Sequence, residues 1–194
     1  MKLPSFLQRK SSPEQFWQWF AANANTLRSG DMNANVTKIA EQLARIHPDL
    51  CPGISMQTDT YQLEISPGGL QGVAPIAVQV ARAAPQIRGW NVVAFRQRTE
   101  PPVIQMAGQE LDLNLTKFIS ARNSENYLDV TLYLPLPVQV DEQVLGQLGF
   151  LTLDHLLGEE VVMTRLGELA FENMVSAPRH ARPLPELLTE MGLQ

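Results

Sequence analysis

A helix that is apolar around most of its circumference demands cover on nearly every side, and so dictates what the rest of a chain must build. The stretch 141–158, DEQVLGQLGFLTLDHLLG, predicts such a helix. Asp141 and Glu142 place acids at its positive end, and Gly158 closes it. Val144, Leu148 and Leu151 fall on one stripe with His155, and Gln143, Gln147 and Asp154 fall on the next with Phe150. Only a narrow polar seam is left. Gly146 and Gly149 are expected to let another element approach closely. Neighbouring helical residues point about 100° apart, so Asp154 and His155 are not expected to act as a coupled pair.

The cover is expected from a sheet. TKFISAR (116–122) and YLDVTLYL (127–134) alternate as strands do, and Asn123-Ser124-Glu125-Asn126 between them reads as a hairpin turn. A four-residue loop sets Arg122 against Tyr127, Ser120 against Asp129 and Phe118 against Thr131. This register gathers Ile119, Ala121, Leu128, Val130, Leu132 and Leu134 on the core side. Arg122, Ser120, Tyr127, Asp129, Thr131 and Tyr133 then face out. Arg96 and Arg98, at the end of a strand predicted in GWNVVAFRQR, would join that face if their strand is adjacent. Arg, Tyr and Asp together are residue types that recognition surfaces use, so the candidate binding residues are Arg96, Arg98, Arg122, Tyr127, Asp129 and Tyr133.

Upstream, Ser12-Pro13-Glu14-Gln15 combines an N-cap, a proline at the first helical position and a Gln three residues after the cap. The helix it opens carries Phe16, Trp17, Trp19 and Phe20, expected to form a core or docking face, with an exposed partner-binding face as the alternative. Val36, Ile39, Ala40, Leu43 and Ile46 recur at helical spacing until His47-Pro48. Tyr61, Leu63 and Ile65 alternate with Gln62 and Glu64 as a strand, and a third helix is expected from Leu70 to Ala84. Between them lies SPGGLQG, where a phosphate loop would sit, but it lacks both the Lys-Ser/Thr pair and the G-x-G-x-x-G spacing, so a tight turn is the simpler reading. Pro101-Pro102 breaks the chain, Val103–Met106 restarts it, and Ala107-Gly108 turns it. After the apolar helix, Glu160–Leu166 and Leu169–Phe171 read as two short strands around Gly167. The tail is Pro-rich, then helical at Glu186-Leu187-Leu188, an arm that docks on its own domain or a neighbour.

The 194 residues are 44% hydrophobic and 18% charged, ordinary for a globular chain. Residues 1–100 hold 10 Lys+Arg against 7 Asp+Glu, and 101–194 hold 5 against 13, which together give the net −5. That balance disfavours nucleic acid. No window resembles a membrane span, MKLPSFLQRK lacks the apolar run of a signal peptide, and the lone Cys51 has no disulfide partner, so a reducing cytoplasm is expected. His47, His155 and His180 are the only histidines, no metal, cofactor or nucleophile motif is present, and neither a metal nor a cofactor is expected.

FWQWF, GWNVVAFRQR, YLDVTLYLP and LGQLGFLTLDHLLGE, in this order, resemble a family of small uncharacterised bacterial domains of unknown function, over roughly 16–171. The resemblance implies an α+β fold and a bacterial cytosolic setting, and it carries no catalytic residues. The expected architecture is α+β: N-terminal helices and a mostly antiparallel sheet, with a central buried helix packed on its apolar face. Residues 1–12 form a tail, 13–175 a single domain and 176–194 the arm. Oligomeric state is not legible. Two functions fit: a soluble intracellular binding or regulatory module for a protein or small ligand, or a small-molecule-binding enzyme of the hydrolase kind, using Arg and acids such as Glu125, Asp129 and Asp154 in a cleft. The missing catalytic motifs favour the first.

Overall fold

Ser12 opens helix α1 (Pro13–Asn23) with a reciprocal cap: its hydroxyl accepts the Gln15 N–H at 3.4 Å and Gln15 Oε1 accepts the Ser12 N–H at 3.0 Å. The computed structural model describes residues 11–57, 59–106, 109–136 and 140–193. It shows an α+β fold with six α-helices and nine strands among these residues. The chain partitions into two units, Met1–Arg96 and Gln97–Gln194, where the sequence reading ran one domain from 13 to 175.

In the first unit, α1 buries Phe16, Trp17 and Phe20 to 2% exposure or less, so its aromatic face serves the core and is not open to a partner. Trp17 Nε1 donates to the Val80 carbonyl at 2.8 Å, and Trp90 Nε1 to that of Ala24 at 3.1 Å, which satisfies both buried indoles. Helix α2 (Met32–Leu43), capped by Asp31, adds Ile39 and Leu43. Three strands follow: β1 (Cys51–Gln57), β2 (Thr60–Ser66) and, after helix α3 (Ala74–Arg82), β3 (Trp90–Ala94). β1 is antiparallel to β2, and β3 is parallel to it through α3. β1 escaped the sequence reading because Pro52 and Gly53 argue against a strand; it is tolerated as the sheet's edge.

The second unit repeats that connection. A hairpin, β4 (Val103–Met106) with β5 (Gln109–Asp112), precedes a four-stranded sheet. There β6 (Lys117–Arg122) is antiparallel to β7 (Leu128–Leu134), and helices α4 (Glu142–Leu157) and α5 (Glu159–Arg165) carry the chain over to β8 (Leu166–Asn173), parallel to β7. β9 (Arg182–Pro183) closes the other side, giving the order β8-β7-β6-β9. The single sheet is therefore corrected to three; four of the six strand pairs are antiparallel, as expected, and the other two are parallel because helical crossovers return the chain in the same direction. The turn expected at Ala107-Gly108 lies outside the described residues.

α4 matches the expectation: Asp141 Oδ1 accepts the Val144 N–H at 2.8 Å, and Gly158 ends it at φ 82°. Leu153, Leu156 and Leu157 pack on Phe118, Leu128, Val130 and Leu132 of the sheet. Gly149 lies against the Phe171 ring, whereas nothing comes within 4 Å of a Cβ at Gly146. Glu160–Leu166 is not a strand. Gly158 frees the chain to start α5 at once, and the helix wins over the β-branched Val161 and Val162 because Val162 and Met163 are buried on one side of it. The Pro-rich tail supplies β9 and helix α6 (Glu186–Met191), whose Leu187 and Met191 join the same core with Leu184.

Candidate functional site

The β6–β7 loop holds five residues, 123–127, and not four, so every cross-strand pair moves by one: Arg122 faces Leu128, Ser120 faces Val130, Phe118 faces Leu132, and Ala121 faces Asp129. Since side chains alternate, the shift splits the face read from the sequence. Phe118 is fully buried beside Leu132, and Ser120 and Arg122 belong to that side of the sheet. Ile119, Ala121, Asp129, Thr131 and Tyr133 belong to the other. The loop is longer because Asn123 organises it. Its Oδ1 accepts the N–H of Glu125 and of Tyr127, each at 3.1 Å, and Asn126 takes φ 67°, a left-handed conformation Asn tolerates.

Each candidate therefore has its own place. Asp129 Oδ1 accepts Asn123 Nδ2 at 2.9 Å and the Glu168 N–H at 2.8 Å, binding the loop to the irregularity where β8 carries one extra residue opposite β7. Gly167 is needed there, since a Cβ would run into Asp129 and Asn123. Tyr133 is 5% exposed; burial first, then the Glu172 carboxylate, push its phenol above the ordinary value. Arg98 Nη1 donates to the Leu193 carbonyl at 2.5 Å. Arg96 lies beyond β3, which ends at Ala94 before Phe95 turns the backbone at φ 68°. Neither arginine is on a strand of the β6–β7 sheet.

The structure does bring Arg122 and Tyr127 together. With Glu125, Asn126, Thr164, Arg165 and Met191 they line a cleft of about 540 Å³ where the hairpin tip meets the end of α5. Arg122 Nη1 donates to the Asn126 carbonyl at 3.2 Å, and Arg165 Nη2 to that of Met191 at 2.7 Å. Each guanidinium thus spends one of five donors on backbone. Neither forms an ion pair among the described residues, although residues 97–194 hold 14 Asp+Glu against 6 Lys+Arg. Tyr127 is 39% exposed beside them. Arg165 was missed because a strand was expected where α5 stands; its place in the last turn of a helix was the available signal.

A second concavity, about 350 Å³, lies on the opposite face between Ile119, Ala121, Asp129, Thr131, Glu168 and Ala170. Glu125 thus lines one hollow and Asp129 another, while Asp154 is buried in α4. His155 Nδ1 meets Thr99 Oγ1 at 2.5 Å, and its carbonyl accepts the Thr99 N–H at 2.7 Å. Among the described residues, no three of His, Cys, Asp and Glu converge as a metal would require, and no helix is long and apolar enough to cross a membrane. No family model matches the chain, and no curated protein or solved structure matches it.

Proposed function

We propose that the protein is a binding or regulatory module of the bacterial cytoplasm whose site is the Arg122–Tyr127–Arg165 cleft, and that the cleft takes an anionic group, a phosphate or carboxylate on a protein or small ligand. One observation carries this reading: in a unit with a surplus of carboxylates, two guanidiniums lining one hollow form no ion pair among the described residues, even with Glu125 in the same lining. Planar forks with spare donors suit an oxyanion, and the adjacent Tyr127 ring adds flat apolar surface for the rest of a ligand. The enzyme reading lacks comparable support, because Glu125, Asp129 and Asp154 do not share a concavity.

Thermal-shift measurements with phosphate, citrate and a phosphopeptide test the proposal. At least one anion is expected to raise the melting temperature of the parent and not of Arg122→Gln. Equal shifts in both proteins would overturn it.

A further inference from the structure

The sheet of the second unit treats its two edges differently. On one side β9 is two residues long and contains Pro183, the blunting that natural sheets use against unwanted pairing. On the other, β8 runs eight residues, Leu166–Asn173, without a Lys or Pro, and among the described residues no strand pairs with its outer side. The irregularity near Gly167 distorts only its start; from Leu169 to Asn173 the pairing with β7 is regular. Those five residues leave roughly 16 Å of edge for main-chain hydrogen bonds.

The side chains choose the occupant. Ala170 and Glu172 stand beside Thr131 and the buried Tyr133, Glu168 lines the same hollow as Ala170, and the Glu172 carboxylate accepts the Ser176 hydroxyl at 2.6 Å. Glu168, Ala170 and Glu172 are exposed, and Leu166, Leu169 and Phe171 point into the core. In an antiparallel pair directly opposed residues share a face, so a second copy centred on Ala170 would set Glu168 against Glu172 of its partner in both directions. Like charges opposed in this register repel, and a shift of register that separates them leaves both glutamates without a cation. An extended segment with basic residues at alternate positions would instead place a cation over each glutamate while its backbone completes the edge.

We infer that the outer edge of β8 is a strand-addition site for an extended basic peptide, read by Glu168 and Glu172 and distinct from the arginine cleft. The probe is a fluorescently labelled peptide, (Lys-Thr)4, followed by anisotropy and by amide hydrogen exchange of Leu169–Asn173. The expected result is saturable binding with slower exchange of those amides. Binding is lost for (Glu-Thr)4 and for (Lys-Thr)4 carrying N-methyl groups on alternate amides, and weakens about tenfold in the double variant Glu168→Gln/Glu172→Gln. If the double variant is misfolded by circular dichroism, the N-methylated peptide decides on the parent protein. Undiminished binding of the N-methylated peptide would overturn strand addition. So would no binding of (Lys-Thr)4 at millimolar concentration, or protection of the β8 amides that follows protein concentration alone, which would mean pairing between copies.

Discussion

Replacing Asp129 by Ala removes the acceptor of two hydrogen bonds, one from the Asn123 side chain and one from the Glu168 backbone, and so unties the hairpin loop from β8. A bond to a charged acceptor contributes about 1.5–3 kcal/mol when buried, but Asp129 is half-buried and Glu168 is exposed, so water replaces part of each. About 1 kcal/mol per bond is a fair figure, and about 2 kcal/mol in all. For a unit of this size that lowers the melting temperature by roughly 8–16 °C. Asn at the same position keeps an oxygen toward both donors and loses only the charge, so Asp129→Asn is expected to cost about 1 kcal/mol. Urea unfolding is followed by far-ultraviolet circular dichroism, since Trp17, Trp19 and Trp90 all report on the first unit. An Ala variant as stable as the parent, or an Asn variant as damaged as Ala, would refute the structural role assigned to this carboxylate.

The two glycines of α4 should respond oppositely to alanine: Gly146→Ala gains about 0.5–1 kcal/mol of helix propensity in open space, while Gly149→Ala drives a methyl into the Phe171 ring and loses about 1–2 kcal/mol net, both read from urea midpoints. Leu132→Ala, at a fully buried position, is expected to cost about 2–5 kcal/mol in the same assay. Because the folded state raises the Tyr133 pKa, its contribution to stability is complete below the unfolded phenol value of about 10 and is lost as pH rises through the folded value. Tyr133→Phe should therefore reduce the stability lost between about pH 9 and pH 11, as seen in unfolding curves at each end.

What could be read from the sequence was whatever local chemistry decides. The capping box at Ser12, the Asp141–Gly158 helix and the β2 strand are each set by neighbours within one turn or one strand, and all stand as expected, although Gln62 of β2 is buried beside Leu63. The α+β class follows from them. Strand direction was not legible, because β3 and β8 alternate the same way whether they run parallel or antiparallel. The hairpin register failed for a physical reason: the Asn123 side chain stabilises a five-residue loop, and one added residue turns Arg122 from the face of Asp129 and Tyr133 to the face of Leu128. Of the six candidate binding residues, Arg122 and Tyr127 share a hollow, and their partner Arg165 comes from a helix that β-branched residues disguised as a strand.

The most direct test of the anion cleft is side-chain NMR of the arginine Nε–Hε groups during titration with inorganic phosphate. Saturable shifts are predicted for Arg122 and Arg165, with Arg179, exposed and not part of the cleft lining, unmoved, and Arg122→Gln should abolish the Arg165 response while the fold is retained. Small, unsaturating shifts of equal size at all arginines would contradict the assignment of this cleft as the binding site.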